Sequence, residues 1–375
     1  MIAVAMSGGL DSSLVAAMLA DSDEELVGLS MLLWDQSTVS RNGRCCGSLD
    51  LGDARRVAQQ IGIPHYTVRL EEEFNRHVVT PFVQDYAAGR TPSPCIRCNT
   101  WIKFDVFLER AVELGADRIA TGHYARIRQG ENGLELHRAA DETKDQSYFL
   151  FELTQQQLAR SIFPLGEMRK SEARAEARRR ELVVAEKGAS MDICFVSGSV
   201  KEFVEEHSAE LDTMAPSAVI DRDGRRLGSA GPYYSYTVGQ RKGLGIAASE
   251  RLYVLEVQPR ENRLVVGPQE ELFESGFYGE RLSWIGGEPG GEVEAEVRIR
   301  SRDAGVRCRL RPLPGSRAEV ELAEPQAAVS PGQAAVFYSG TQVLGGCWIS
   351  APEPAPMTMT NSPFRESRRA SVSRS

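Results

Sequence analysis

Apolar runs and amphipathic stretches alternate over the first part of the chain. The runs at 2–6, 25–34 and 65–70 predict buried strands, and each precedes a stretch with helical periodicity. Strands that are apolar throughout are typical of a parallel sheet with helices on both faces. A further strand is predicted at 117–124, followed by a hairpin at 125–141. We therefore expect an α/β domain built on a parallel sheet.

The pattern changes after about residue 200, where helical periodicity fades and glycines and prolines become frequent. Short alternating runs predict a hairpin that turns at Asp223-Gly224 and, between 276 and 350, a small β-barrel or sandwich. The composition of 351–375, rich in Pro, Ser and Arg, predicts a disordered tail. The predicted division is a catalytic α/β domain at 1–200 (with 163–186 as candidates for packing against the central domain), a small mixed central domain at 201–275, a C-terminal β-barrel at 276–350 and the tail.

Composition limits the class of protein. The chain has 375 residues, of which 42% are hydrophobic and 26% are charged, as in globular proteins. No apolar run reaches the ~20 residues of a membrane helix, and the start MIAVAMSGG lacks the basic flank of a secretion signal. We expect a cytoplasmic protein without a membrane partner, whose seven cysteines are thiols rather than disulfides. The net charge of -8 does not favour nucleic acid, so a local basic patch would have to attract it.

The segment SGGLDSS at 7–13 follows the first predicted strand and begins the first predicted helix. Glycines allow a close approach to phosphate oxygens, while a helix N-terminus and serine hydroxyls supply hydrogen-bond donors. The lysine of a Walker loop and the GxGxxG pattern are both absent from this segment. On these residues the chain resembles the PP-loop ATP pyrophosphatases, which hold the pyrophosphate of ATP in this loop and transfer AMP to an acceptor.

This resemblance implies an adenine nucleotide alpha-hydrolase-like fold that binds ATP, with Asp11 orienting Mg²⁺ against the leaving pyrophosphate. Adenine is expected near Met31 on the second strand, in the crevice at the carboxyl ends of the parallel strands. The ATP-binding residues that the resemblance implies are Ala5, Met6, Ser7, Gly8, Gly9, Leu10, Asp11, Ser12, Met31 and Gly122.

Further sequence motifs narrow the range of possible acceptors of the AMP. AMSGGLDSS, TPSPCIRCN, ATGHYAR, KDQSYFL, DICFV, YTVGQRKGLGI and SPGQAAVFY occur in this order within residues 1–350. On them the chain resembles the tRNA-specific 2-thiouridylases. The resemblance implies ATP-dependent 2-thiolation of the wobble uridine of tRNA, in which the uracil C2 oxygen is adenylated and then replaced by sulfur. It implies a persulfide on Cys194, supplied by a sulfur-carrier protein or a cysteine desulfurase, with Cys98 as nucleophile and a disulfide at the end of each cycle.

The chain departs from the common family pattern at Cys95, where the best-known members carry Asp. A thiol does not perform acid–base work at the pKa of a carboxylate. Cys95, Cys98 and Cys194 are therefore also candidate ligands of a [4Fe–4S] cluster, or of zinc with His123 as a fourth ligand. The persulfide route needs only the two cysteines of the common pattern, and all three alternatives stay open. Local sequence predicts an accessible loop thiol at Cys98, after two prolines, and a buried one at Cys194.

Six arginines alternate along a predicted hairpin near the C-terminus, against one acid in its turn, Asp303. They are Arg298, Arg300, Arg302, Arg307, Arg309 and Arg311. Alternation places each triplet on one face, which suits the phosphates of tRNA, although a solvated strand face is the alternative. Arg241 and Lys242 are further candidates from the central domain. The tRNA contacts that the family resemblance implies are Ser93, Pro94, Cys95, His123, Lys144, Asp145, Gln146, Arg300, Ser301 and Gln333.

Two other functions fit parts of the sequence. A different PP-loop synthetase would adenylate a carboxylate, and it would need neither paired thiols nor a basic β-domain. A metal-binding protein that binds RNA through a vestigial nucleotide fold would not need the intact SGGLDS loop that this chain carries. The 2-thiouridylase interpretation is therefore preferred.

Overall fold

The structure is a computed structural model of the chain, and it describes residues 1–34, 48–188, 193–196, 198–208, 215–248 and 250–350. The predicted tail at 351–375 lies outside the described residues, as do two of the seven cysteines, Cys45 and Cys46.

The first 188 residues contain the predicted parallel sheet. The strands are β1 Ile2–Ala5, β2 Leu26–Leu32, β3 His65–Arg69, β4 Arg118–Ala120, β5 Ala125–Gly130, β6 Gly133–Arg138 and β7 Ser161–Ile162. The α-helices are α1 Leu10–Leu19, α2 Ser48–Ile61, α3 Glu71–Phe74, α4 Thr80–Ala87, α5 Pro94–Arg97, α6 Phe107–Glu113, α7 Gln155–Ala159 and α8 Lys170–Arg179. Two π-helices, Asn75–Val79 and Cys98–Val106, and two 3-10 helices, Ser147–Leu150 and Pro164–Glu167, complete this region.

The central strand β1 explains why both faces of this sheet are covered. The sheet order is β3-β2-β1-β4-β7, and its pairings are parallel. All four residues of β1 are buried. Because side chains alternate along a strand, Ile2 and Val4 pack with α1 and α2, whereas Ala3 and Ala5 pack in a second cluster with α4 and the π-helix at 98–106. This confirms the predicted parallel sheet, although β4 ends at Ala120, before the predicted boundary, and the short β7 was not predicted.

The central domain is small and has its own core. It contains α9 Val200–His207, β8 Ser217–Ile220, β9 Arg226–Ala230, β10 Tyr253–Gln258 and β11 Arg263–Gly267, with 3-10 helices at Tyr233–Ser235 and Gln269–Leu272. The buried residues of α9, Phe203 and Val204, pack in the core cluster of the first domain instead. The sheet order is β10-β11-β8-β9, and β8 and β9 form the predicted hairpin. Gly224 adopts a φ of +81° at the turn, a conformation that glycine adopts without steric cost. Val219, Val254 and Leu264 are fully buried between these strands and the adjoining loops.

The C-terminal strands close into a β-barrel. They are β12 Phe273–Trp284, β13 Val293–Arg298, β14 Val306–Leu313, β15 Arg317–Ala327, β16 Ala334–Ser339 and β17 Gln342–Ile349, all within the described residues 250–350. Their order is β12-β15-β14-β13-β16-β17, and the pairing of β12 with β17 closes the barrel. The sequence predicted every strand except β12, because glycines and charged residues break its alternation.

The barrel sheet also extends into the first part of the chain. The β5–β6 hairpin was predicted correctly, and its outer strand β6 pairs with β17 through Gln342 opposite His137 and Val343 opposite Leu136. The α/β and barrel regions are therefore joined by backbone hydrogen bonds as well as by side chains. In the part of the chain that the structure describes, every helix is too short or too polar to cross a bilayer.

Candidate active site

The phosphate loop forms a tight turn at the carboxyl end of β1. Gly8 adopts a φ of +73°, and a Cβ placed on it would lie 2.0 Å from the carbonyl oxygen of Asp50. Only glycine fits this position, since both the φ angle and the contact exclude a side chain. Ser12 Oγ accepts a hydrogen bond from the backbone N–H of Ser7 (3.1 Å) and donates one to the carbonyl of Gly9 (3.2 Å). The loop is thus shaped before any ligand binds.

Asp11 is the acidic side chain of this loop, and it is held from two sides. Its Oδ1 accepts a hydrogen bond from Tyr124 OH at 3.0 Å and forms an ion pair with Lys170 Nζ at 2.5 Å. Burial, followed by the neighbouring Asp11, raises the pKa of Tyr124, so that its hydroxyl remains a donor. Gly122 packs on the loop, because a Cβ there would lie 2.9 Å from the backbone nitrogen of Ser12. The predicted ATP residues Asp11 and Gly122 therefore lie together.

Lys187 is a charged neighbour of the loop that sequence analysis missed. Its Nζ donates to the carbonyl oxygen of Gly8 at 2.9 Å and pairs with Asp50 at 2.5 Å and Asp53 at 2.6 Å. Burial opposes the charge on Lys187, but the two carboxylates more than offset it and raise the pKa of the lysine. A sequence signal existed, because residues 1–40 contain no Lys or Arg, so any cation at the loop had to come from a distant segment.

The thiols lie at a second place in the same domain. The prediction of a loop at Cys98 was wrong: α5 begins at Pro94 and continues into the π-helix at 98–106. Proline suits the first turn of a helix, since it has no N–H to leave unpaired there. The buried Ile96 and Phe104 hold this helix against the apolar core. π-Helical segments are frequent at functional sites.

The accessibility of the thiols is the reverse of the local prediction. Cys98 is only 8% exposed and belongs to an apolar cluster, whereas Cys194 is exposed in a turn. The neighbour of Cys194, Phe195, is buried against Phe74 and Phe82 and anchors the turn in the same cluster. Cys98 therefore faces the core itself, whereas at Cys194 the neighbouring Phe195 faces the core and the cysteine does not.

Cys95 lies one helical turn before Cys98 and close to Cys194. Protein atoms packed around its sulfur raise the pKa of the Cys95 thiol, although the residue as a whole is exposed. The neighbouring Cys194 raises this pKa further, while the ammonium of Lys103 lowers it. The geometry thus brings Cys95 and Cys194 within electrostatic reach of each other. Within the described residues, no group of three or more His, Cys, Asp or Glu side chains is arranged to hold a metal ion, so the three cysteines do not form a ready ligand set for a cluster or, with His123, for zinc.

The predicted tRNA residue His123 is buried. Its ring packs between Phe104 and Phe163, with centroids 5.6 and 5.8 Å away, and Nδ1 hydrogen-bonds the Thr121 hydroxyl at 2.8 Å. Burial, with a smaller effect of Lys103, holds the pKa of His123 well below its ordinary value, so the ring is neutral. Its contact with RNA stays a prediction.

The predicted tRNA segment at 144–146 connects the two regions. Asp145 forms an ion pair with Arg298 of the barrel at 3.4 Å, with both side chains largely buried. Gln146 Oε1 accepts from the backbone N–H of Tyr124 at 2.9 Å. Lys144 is the exposed member of the three. This segment therefore serves the structure through Asp145 and Gln146, and its RNA contacts stay a prediction.

The segment 298–311 carries six arginines and one acid, as predicted, but residues outside it supply further acids. Arg309 pairs with Glu292 at 2.9 Å and Glu321 at 3.7 Å, and Arg311 pairs with Glu319. Arg300 donates to the carbonyls of Ala327 and Ala328. Arg298 is partly buried, with its guanidinium 5.2 Å from the centre of the Tyr338 ring. Arg302 and Arg307 remain exposed, so a smaller basic surface than predicted is available for RNA.

Three further predicted residues, Ser93, Pro94 and Gln333, lie at the junction of α5 and the barrel. The backbone N–H of Thr91 donates to the Pro331 carbonyl at 2.8 Å, and Gly332 packs against Arg90 and Thr91. This contact brings the SPGQ turn with Gln333 against the TPSPC segment with Ser93 and Pro94. The side-chain Oε1 of Gln333 is buried without a hydrogen-bond partner in the structure. Ser301 is partly exposed after β13.

Comparisons with known proteins agree with this arrangement. Residues 1–198 match the family described as tRNA methyl transferase HUP domain, 201–268 match the tRNA methyl transferase PRC-barrel domain, and 274–349 match the aminomethyltransferase beta-barrel domain. With the loop after β1, these matches define the class: a HUP-domain protein that carries a nucleotide-binding PP-loop, a PRC-barrel and a β-barrel.

Relatives narrow the class to one family. The chain is 50% identical over 365 residues to the tRNA-specific 2-thiouridylase MnmA of Solibacter usitatus, covering 93% of this chain and 98% of the relative. It is 49% identical over 357 residues to the protein of the same name from Geobacter metallireducens, covering 93% and 96%. The chain belongs to the tRNA-specific 2-thiouridylase family, which confirms the family predicted from its sequence.

Proposed function

We propose that this protein is an ATP-dependent tRNA-uridine 2-sulfurtransferase that thiolates the wobble uridine. The observation that carries the proposal is the division of the thiols: one α/β domain holds the phosphate loop, a buried Cys98 and an exposed Cys194. An exposed thiol can receive sulfur from another protein, whereas a buried thiol is shielded from that donor and from oxidants. Family membership supports the same assignment.

The phosphate loop would perform the first step. AMP is transferred from ATP to the uracil C2 oxygen, and pyrophosphate leaves. Backbone N–H groups of Gly8 and Gly9 and the hydroxyl of Ser7 would hold the leaving pyrophosphate. Mg²⁺, when bound with ATP, would neutralise negative charge on the phosphates. Asp11 is the residue that would hold it, because its carboxylate is 34% exposed and already oriented by Tyr124 and Lys170.

The thiols would perform the second step. The outer sulfur of a Cys194 persulfide bonds to C2, and AMP departs with the original oxygen. The Cys98 thiolate then attacks Cys194 sulfur, which breaks the bond to the transferred sulfur and leaves 2-thiouridine with a Cys98–Cys194 disulfide. Two electrons from an external thiol reductant restore both cysteines. Within the described residues the three cysteines do not form a ready ligand set for an iron–sulfur cluster, so the proposed steps use thiols alone.

RNA would bind across the junction of the α/β domain and the barrel. The exposed Lys144, Arg302 and Arg307 are cations that phosphates could reach there. A wobble uridine lies in a single-stranded loop, so unstacking it towards the thiols costs little compared with a paired base. The other proposed contacts are Ser93, Pro94, Cys95, His123, Asp145, Gln146, Arg300, Ser301 and Gln333.

A reconstitution tests the proposal. The purified chain is incubated with ATP, unmodified tRNA, a protein persulfide donor and a thiol reductant, and nucleosides are analysed for 2-thiouridine by mass spectrometry. We expect activity from the wild type and from Cys308→Ala, which removes a barrel thiol as a matched control. Cys98→Ser and Cys194→Ser should be inactive, and only Cys194→Ser should fail to acquire labelled sulfur from the donor.

Cys95 separates the persulfide and cluster alternatives. On the persulfide route, Cys95→Asp restores the common family residue and activity is kept. If the three cysteines hold a cluster, the same change replaces a soft thiolate with a hard carboxylate. Iron measured after anaerobic purification, together with thiolation, decides between them: about four irons per chain in the wild type, and loss of iron and activity in Cys95→Asp, would contradict the persulfide route.

A further inference from the structure

The phosphate loop has no cation of its own. Residues 1–40 contain neither Lys nor Arg, and the loop itself carries the acidic Asp11. The pyrophosphate part of ATP is strongly anionic, and ammonium or guanidinium groups that meet it directly form charge-assisted hydrogen bonds. Cations for this loop must therefore come from a segment that folding brings to it.

One segment, from Lys170 to Lys187, supplies two such cations. Its helix α8 and the turns that follow it pack on α1 and α2 through Ala173, Ala177 and Val184. Lys170 at the start of the segment already pairs with Asp11. Lys187 at the end reaches the loop at the carbonyl of Gly8. An apolar core thus fixes where both ammonium groups lie.

The environment of Lys187 keeps it charged and within reach of the loop. Its three N–H donors meet three acceptors: Gly8 O, Asp50 Oδ1 and Asp53 Oδ2. The lysine side chain is 30% exposed, so it is not sealed off from solvent. The two acids differ, because Asp53 is more buried and also binds Arg56, whereas Asp50 binds Lys187 and is as exposed as the lysine.

We propose that Lys187 binds the pyrophosphate of ATP directly, and that Asp50 is the partner it gives up when the nucleotide enters. Asp53 remains bound and keeps the ammonium beside the loop. The inference rests on the proposed function for the identity of the nucleotide as ATP. It deepens that function by naming a phosphate ligand outside the SGGLDS loop.

A purely structural role for Lys187 makes a different prediction. The lysine would then only clamp α2 to the loop, where Gly8 already abuts the backbone of Asp50. Breaking that clamp from either side would loosen the loop, and binding of all adenine nucleotides would fall in Lys187→Met and in Asp50→Asn alike. If Lys187 instead binds phosphate and Asp50 competes for it, the affinity for pyrophosphate should fall in Lys187→Met and rise in Asp50→Asn.

The test measures binding of ATP, pyrophosphate and AMP to the full-length chain by calorimetry, with Mg²⁺ present. Lys187→Met should weaken ATP and pyrophosphate binding by about tenfold or more, as expected for a charged hydrogen bond, and leave AMP binding within about twofold. Lys187→Arg should recover part of the loss. Asp50→Asn should bind pyrophosphate more tightly than the wild type. The matched control Lys201→Met removes an exposed lysine of α9 that lies 3.9 Å from Glu205, and it should change nothing.

Each outcome decides the question. Equal losses for AMP and ATP in Lys187→Met, or weaker pyrophosphate binding in Asp50→Asn, would overturn the proposal in favour of a structural clamp. If circular dichroism shows that Lys187→Met does not fold, Lys187→Arg and Asp50→Asn still show whether the affinity for pyrophosphate falls or rises. Failure of the proposed function looks different, since the wild type would then bind ATP with help from Lys187 and yet form no 2-thiouridine.

Discussion

The phosphate loop lies in the same domain as the thiol helix, which is α5 with the π-helix that follows it, residues 94–106. Different parts of the molecule hold the two in place. Every contact described above for the loop comes from residues 1–188: Asp50, Gly122, Tyr124, Lys170 and Lys187. The segment that leads into the thiol helix, by contrast, touches both other domains. Tyr233 of the central domain donates to the carbonyl of Ala87, and Pro331 of the barrel accepts from Thr91.

A buried carboxylate, Glu152, links the barrel to the thiol helix. Glu152 accepts hydrogen bonds from Thr100 at 2.8 Å and from the indole N–H of Trp348 at 2.8 Å, and Arg281 pairs with it at 3.2 Å. The guanidinium of Arg97, next to Cys98, lies 5.4 Å from the centre of the Trp348 ring. Nucleotide binding should therefore depend on the first domain, whereas placement of Cys98 should depend on the barrel that is proposed to bind tRNA.

The largest expected effect is on pyrophosphate release, when Asp11 of the phosphate loop is changed. Asp11→Asn removes the charge that Tyr124 and Lys170 hold in place and that is proposed to hold Mg²⁺. We expect tRNA-dependent pyrophosphate release to fall by at least about 100-fold, as for other losses of transition-state charge stabilisation. Loading of labelled sulfur onto Cys194 should be unchanged, because the thiols are braced separately. Undiminished pyrophosphate release would show that Asp11 has no role in the chemistry, and lost sulfur loading would show that the two regions are not independent.

A smaller effect is expected at the bridge from the barrel. Glu152→Gln keeps the shape of the side chain but weakens three interactions of a carboxylate that is 9% exposed. Thiolation should fall by about tenfold, equivalent to about 1.4 kcal/mol in the barrier, with ATP affinity unchanged. The unfolding temperature should drop by a few degrees at most.

The control for Glu152 is Glu319→Gln, which removes the partner of Arg311 on the open face of the barrel. An exposed ion pair contributes little, so this variant should behave as the wild type. If Glu152→Gln weakens ATP binding as much as thiolation, the proposed division between loop and thiol helix is wrong.

The two regions also differ in how much the sequence predicted. The loop is one contiguous segment between a strand and a helix, so local pattern was enough to place Ser7, Gly8 and Asp11. Lys187 lies far from Gly8 along the chain, and only the packing of α8 on α1 brings them together. At the thiols, burial depends on Phe195 and on a helix that begins at Pro94, and neither Cys98 nor Cys194 carries a local signal of its exposure.

In the barrel, contacts between strands that are distant in the sequence could not be predicted. The arginine pattern at 298–311 was read correctly as a hairpin of β13 and β14, but β13 ends at Arg298, so Arg300 and Arg302 lie in the connection rather than on a strand face. The glutamates that neutralise the arginines lie on β15 and in the approach to β13. Register between strands is set by packing of the whole barrel, which a single sequence does not give. The same reason explains why the junction of β6 with β17 was not foreseen.

The smallest expected effect concerns the thiol of Cys95, and it tests whether Cys95 and Cys194 lie as close as the structure has them. Crowding by protein atoms raises the pKa of Cys95, Cys194 raises it further and Lys103 lowers it. A raised pKa means less thiolate at neutral pH, so alkylation of Cys95 by iodoacetamide should be slower than that of an unperturbed cysteine and should accelerate at a higher pH.

Replacing Cys194 with Ser removes one cause of the shift, and the midpoint of the rate should move to lower pH. Replacing Lys103 with Met removes the opposing cation, and the midpoint should move to higher pH. Peptide mass spectrometry after timed alkylation gives the rate at Cys95 alone, with the surface variant Lys201→Met as control. Identical profiles in the wild type and Cys194→Ser would mean that Cys194 stays too far from Cys95 in solution to influence its charge, and the thiol site would then have to assemble only when tRNA binds.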